Sequence, residues 1–171
     1  IHMAFADPRI EVVGLTTIFG NVTTRQATRN ALHLSQMAHY KLDVAHGADR
    51  PLERDPHPPA DFVHGPEGFG RLPAPVVDTA PDPRDAARYL CETCAAAPGE
   101  IIICAVGPLT NLAAALAHDP QIIRTAARVV VMGGTTTPIR AEASTGSQKD
   151  SGNDQLLPVI SIIPHNRTAE T

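Results

Sequence analysis

Cysteine is scarce in this 171-residue chain: Cys91, Cys94 and Cys104 are the three present. They are too few and too unevenly spaced for a disulfide framework. Cys91-x-x-Cys94 has the spacing of a redox or metal pair, but no second ligand pair accompanies it. The pair falls in a helical pattern and Cys104 in an apolar strand, so all three read as small buried hydrophobes. Cysteine use of this kind fits a reducing, cytoplasmic setting. Basic clusters are absent as well. Lys and Arg total 14 against 18 Asp and Glu, for a net charge of −4, which argues against a partner bound through its nucleic-acid backbone. No apolar run approaches the roughly 20 residues of a membrane helix. Residues 1–3 show no charged stretch leading into an apolar one, so no signal peptide is read there. What remains is ordinary globular composition, 43% hydrophobic and 19% charged, sufficient for one domain with a core.

Ile10-Glu11-Val12-Val13-Gly14-Leu15-Thr16 is short, β-branched and mostly apolar, and predicts a buried strand. Gly20-Asn21-Val22 punctuates its end. Thr23 or Thr24 can cap a helix over 25–38, in which Ala27, Ala31, Leu34 and Ala38 recur at helical spacing. A brief strand is expected at Asp43-Val44-Ala45. Residues 48–83 are proline-rich and aperiodic, and a loop of that length in a compact domain is usually functional or disordered. A helix is expected over 84–96, closed by Pro98-Gly99. Ile101 to Val106 forms a continuous apolar run of the kind buried on both sheet faces. Gly107-Pro108 turns it into a helix over 109–118. Asp119-Pro120 opens a further short helix, and Arg128 to Met132 is a third clear strand. Residues 138–171 form an atypical tail after a first unit of 1–137. Its apolar stretch Leu156 to Ile163 is interrupted by Pro158, and no secondary structure is predicted there. Strands alternating with helices imply an α/β fold, a layered and mainly parallel sheet with helices on both faces. Ligands then bind at the carboxyl ends of the strands, which places chemistry after Thr16, after Val106 and after Met132.

Three segments together resemble the inosine-uridine-preferring nucleoside hydrolase family. They are Val13-Gly14-Leu15-Thr16-Thr17-Ile18-Phe19-Gly20-Asn21-Val22 followed by Thr28-Arg29-Asn30-Ala31-Leu32; Val63-His64-Gly65-Pro66-Glu67-Gly68-Phe69-Gly70; and Val106-Gly107-Pro108-Leu109-Thr110-Asn111-Leu112-Ala113 with Val131-Met132-Gly133-Gly134. Each is weak alone; their order and spacing are specific. The resemblance implies hydrolysis of the N-glycosidic bond of ribonucleosides, a Ca²⁺ cofactor and a homo-oligomer. Family members open with a strand ending in an Asp-rich loop, Asp-x-Asp-Pro-x-x-Asp-Asp, that binds the metal and supplies the base. No such segment occurs here, and Ile1 to Ala6 resembles the helix that would follow it. Without that strand a central sheet edge is expected to lie unpaired, an aggregation hazard. With the metal and base loop missing, this chain by itself is expected to show little or no turnover.

The chemistry builds positive charge on ribose and negative charge on the departing base. Asn21 can donate to and accept from a sugar hydroxyl, or serve only as a turn residue after Gly20. His64 lies in the long loop, where it can protonate a leaving base or simply face solvent; the other seven histidines read as ordinary. Val106 reads as core, but the resemblance implies that its backbone carbonyl ligates Ca²⁺, one of the 6–8 oxygens that ion takes. Met132 reads first as a core filler, with sugar contact implied by the resemblance. Glu142, in Ala141-Glu142-Ala143, weakly matches a ribose-binding motif in which Ser144 replaces an Asn. Thr110 and Asn111 read as helix-capping residues. The contrasting reading is a non-catalytic nucleoside- or sugar-binding remnant on the same sheet. An unrelated nucleotide-binding fold is disfavoured, because neither a G-x-G-x-x-G nor a Walker loop is present.

Overall fold

The computed structural model describes residues 1–133 and the backbone of one later strand, Val159–Pro164. Strands β1 (Ile10–Thr16), β2 (Asp43–His46), β3 (Asp82–Asp85), β4 (Ile102–Ala105), β5 (Arg128–Val131) and β6 (Val159–Pro164) form one sheet in the order β3-β2-β1-β6-β4-β5. β1, β2 and β3 run parallel, as do β4 and β5. β6 lies antiparallel between β1 and β4. The sheet is therefore mainly parallel, as the alternating pattern predicts. The expected unpaired edge is not found: β1 and β4 both pair with β6, a strand drawn from the region with no predicted structure.

Helices α1 (His2–Ala6) and α2 (Thr24–Met37) cover one face; α4 (Ala86–Ala96), α5 (Thr110–His118) and α6 (Ile122–Thr125) cover the other. β1 shows why. Val12 and Leu15 pack with Ala31 and Leu32 of α2 and with Ala4 and Phe5 of α1. Val13 joins the opposite core, built from Leu90, Cys91, Cys94, Ile101, Ile103, Ala115 and Ile122. A register shift against β6 between Glu11 and Gly14 lets two neighbouring residues, Val13 and Gly14, serve that second face. There the Tyr89 hydroxyl donates to the Val13 carbonyl at 3.0 Å.

α2 starts at Thr24, one residue before the expected 25. Thr23 is the N-cap and Gln26 completes a capping box. α4 starts two residues later than predicted. Arg84 and Asp85 extend β3 beside β2, and the Asp85 side chain accepts from the Arg88 N–H to cap the helix. The proline-rich stretch holds its own short helix, α3 (Asp61–His64), which aperiodic sequence could not announce. No helix among the described residues is long and apolar enough to cross a membrane.

Cys91 and Cys94 lie in the α4 core and Cys104 is partly covered. Burial pushes the Cys94 thiol up to about 11, and burial likewise raises Cys91 and Cys104. Only the thiolate reacts. At pH 8 the folded chain is therefore expected to leave Cys94 unlabelled by iodoacetamide over the minutes in which the urea-unfolded chain labels fully. Peptide mass spectrometry measures this, and rapid native labelling of Cys94 would contradict its placement in the core.

Candidate functional site

The carboxyl ends of β1 and β4 open onto one hollow of ≈ 350 Å³, a size ordinary for a small-molecule site. Asn21, in the loop after β1, lines it; so does Val106, directly after β4, and so does His64, the last residue of α3. Three segments separated by some forty residues each (positions 21, 64 and 106) thus converge on one space. The wall between them is apolar, with Ile18, Phe19 and Leu34 facing Phe69. Such a lining suits a flat ring, with Thr17 and Asn30 as further polar residues along it.

Met132 is placed otherwise. It is exposed at the end of β5, the outer strand, and does not line the hollow; its N–H donates to the Ala105 carbonyl at 2.8 Å, one residue before Val106. Glu142 lies outside the described residues.

Below the rim, a hydrogen-bonded set ties α2 to the ends of β1 and β2. The Thr17 and Thr28 hydroxyls are 2.7 Å apart, Thr28 donates to the Thr24 carbonyl at 2.8 Å, and His46 Nδ1 is 2.8 Å from the Thr28 hydroxyl. His46 Nε2 reaches Asp49 at 3.3 Å. Thr17 lines the hollow. Its neighbour Thr16 carries the buried side-chain oxygen that, among the described residues, has no hydrogen-bond partner.

Asn111 was expected to cap α5, yet Leu109 is the N-cap position and no side chain caps that helix. Asn111 instead points inward, 2% exposed. Its Nδ2 donates to the Thr17 carbonyl at 2.9 Å and its Oδ1 accepts from the Ala48 N–H at 2.9 Å. One amide therefore joins the segments leaving β1 and β2 to the helix that follows β4. Gly47 is pressed against this joint: a Cβ there would lie 2.0 Å from the Thr17 carbonyl oxygen and 2.4 Å from Asn111 Nδ2. Thr17, Thr28, His46, Gly47 and Asn111 escape sequence reading because their partners are distant in the chain. The available signal is that each sits at or beside a strand's carboxyl end, or on the α2 face turned toward one.

The segment carrying His64 is a closed loop. Gly70 N–H donates to the His64 carbonyl at 2.7 Å. At its neck Gly65 has φ +78°, and a Cβ there would fall 1.8 Å from the Gly70 oxygen, so only glycine fits. Glu67 in this loop meets Arg29 at 2.8 Å. The Arg29 guanidinium first, and Gln26 second, hold the Glu67 carboxyl below its ordinary value.

Among the described residues no group of three or more His, Cys, Asp and Glu side chains could hold a metal ion. A carbonyl at Val106 supplies one hard oxygen where Ca²⁺ takes 6–8. The described residues alone do not fit that ion.

An α/β sheet with a hollow at its strand ends is an arrangement in which small molecules bind, and comparison with known proteins specifies the family. Residues 1–156 match the model of the inosine-uridine preferring nucleoside hydrolase family, and the chain belongs to that family. It is 44% identical over 135 residues to a probable uridine nucleosidase 1 of Oryza sativa subsp. japonica, covering 78% of this chain and 42% of the relative. To uridine nucleosidase 1 of Arabidopsis thaliana it is 43% identical, covering 78% and 40%. Among solved structures, a plant nucleoside hydrolase superposes with TM-score 0.70 at 40% identity, covering 77% of this chain and 42% of that one. A purine-preferring ribonucleoside hydrolase from Gardnerella vaginalis gives 0.73 at 27% identity. The chain spans about two fifths of the length of these relatives.

Proposed function

We propose that the hollow binds a ribonucleoside and that this chain supplies the sugar-and-base side of an N-ribohydrolase site. The observation that carries this reading is the convergence of Asn21, His64 and Val106 on one hollow. Asn21 bonds a ribose hydroxyl. His64 stands by the leaving base as proton donor. The base lies along Phe19 and Phe69. On family resemblance the Val106 carbonyl is assigned as one oxygen donor to Ca²⁺; the remaining donors are not among the described residues. Met132, beside Val106 through its bond to Ala105, and Glu142 are assigned to the sugar on family resemblance. A homo-oligomer rests on the same resemblance, and a cytoplasmic setting on the cysteine usage. The family relatives named uridine nucleosidase make uridine the first ligand to test.

The lack of a carboxylate cluster among the described residues favours the second reading for this chain by itself, binding without rapid cleavage. Calorimetric titration with uridine in Ca²⁺ buffer, alongside an assay of released base, tests both. Uridine is expected to bind, Asn21→Ala to weaken it about tenfold, the worth of roughly one lost hydrogen bond, and free base to accumulate slowly if at all. Equal uridine affinity in the wild type and Asn21→Ala, or no heat with either uridine or inosine, would sink the assignment. Robust turnover would show that the acidic loop is dispensable.

A further inference from the structure

We propose that Arg29 is a positioning residue for His64, acting through the loop that carries it. Three side chains on one face of α2, spaced i, i+3 and i+4, reach the same short stretch of that loop. Gln26 Nε2 donates to the Pro66 carbonyl at 2.7 Å, Asn30 Nδ2 to the Glu67 carbonyl at 2.8 Å, and Arg29 pairs with the Glu67 carboxylate at 2.8 Å. Arg29 also donates to Asn30 Oδ1, through Nε at 3.2 Å and NH2 at 3.1 Å. It therefore fixes the amide so that Asn30 Nδ2 is aimed at the loop. Asn30 is buried, and Arg29 and Glu67 are largely covered, at 23% and 31% side-chain exposure.

Arg29 is suited to this role by its shape. A planar fork can serve a carboxylate and a neighbouring amide oxygen at once, whereas a lysine ammonium offers a single charged point. Elsewhere the loop meets α2 through an edge-on contact of Phe69 with the His33 ring, centroids 6.0 Å apart. α3 buries none of its residues, and Phe62 and Val63 are exposed. Its internal bonds, Gly68 N–H to the Gly65 carbonyl at 3.1 Å and Gly70 N–H to the His64 carbonyl at 2.7 Å, close the loop on itself without fixing it to the sheet. The α2 contacts provide that fixing, and with it the placement of the His64 ring at the hollow.

The link to His64 chemistry rests on the proposed function; the link to the loop does not, and the experiment separates them. Hydrogen exchange followed by NMR reads the Gly68 and Gly70 amides in the wild type, Arg29→Ala, Arg29→Lys and Glu67→Gln. Arg29→Ala is expected to speed exchange at both glycines about tenfold or more, with amides of β1 and α4 unchanged. Arg29→Lys should recover only part of the protection, and Glu67→Gln should fall between lysine and alanine. The His64 ring resonances should shift or broaden in Arg29→Ala. Unchanged loop exchange, a uniform rise across the whole chain, or an unmoved His64 signal would overturn the proposal. Should wild type fail to bind uridine, the function assigned to the hollow falls, while the exchange data still decide whether Arg29 holds the loop.

Discussion

Asn111→Leu is expected to lower the melting temperature by roughly 5–20 °C, followed by circular dichroism. The two residues have similar size, so the change removes polarity with little change in packing. It strands the Thr17 carbonyl and the Ala48 N–H, each now bonded to the Asn111 amide at 2.9 Å. A buried group left without its partner costs about 1–3 kcal/mol, so the pair costs about 2–6 kcal/mol. In a chain of this size each kcal/mol moves the midpoint by about 2–4 °C. Asn111→Asp separates the two bonds. It still accepts from Ala48, but it sets a carboxylate against the Thr17 carbonyl, so it should also be destabilised and recover as pH falls and the carboxyl gains a proton to donate. Gly47→Ala attacks the same joint from the other side, since its Cβ would sit 2.0 Å from the Thr17 oxygen. Because the two positions share partners, the double variant should lose less than the sum of the singles. A melting temperature within about two degrees of wild type for Asn111→Leu would show that the joint carries little of the stability.

The consequence reaches the hollow, because Thr17 lines it and Asn21 follows four residues later. That joint marks the limit of what sequence could disclose. β1, α2, β4 and α5 are legible because their information is local: apolar runs between turn residues, a threonine cap at Thr23 or Thr24, a Gly107-Pro108 turn from strand to helix. Asn21, His64 and Val106 are legible because each follows or interrupts such an element and sits within a recognisable motif. Their convergence on one hollow is not a local property and had to be seen. Met132 illustrates the opposite case. Its motif resembles that of its neighbours, yet β5 is the outer strand and β6 and β4 separate it from β1, so the residue ends up exposed beside the site. Asn111 was read as a cap because Asn near a helix start usually is one; only the approach of Thr17 and Ala48, 94 and 63 residues away in sequence, gives it a different task.

β6 is the element least visible in the sequence and the one on which the sheet most depends. Val159–Pro164 is bounded by two prolines, Pro158 and Pro164, which normally speak against a central strand. Pro164 stands at the end of the strand, where a missing N–H interrupts little of the ladder. Between the two prolines Ser161 pairs with Gly14 of β1 on one side and with Ile103 of β4 on the other. Among the described residues β6 is the strand that joins the β3-β2-β1 part of the sheet to β4-β5; off the sheet, α4 touches β1, β2 and β3 as well as α5 and α6, and Asn111 of α5 bonds Thr17 and Ala48. Ser161→Pro removes an N–H from the middle of that ladder and forces a ring against a neighbouring strand. With Ser161→Ala as the reference that keeps the N–H, proline is expected to cost about 3 kcal/mol or more, a fall of roughly 6–12 °C in the midpoint. The loss should not be confined to β6. With β1 and β4 unpaired, two inner edges are exposed, and the variant should associate at concentrations where the reference stays dispersed, which light scattering during the melt would record. Equal midpoints and equal scattering for the two variants would mean that α4, the helical cores and the Asn111 joint hold the halves together, and that β6 contributes nothing to the fold that places the hollow.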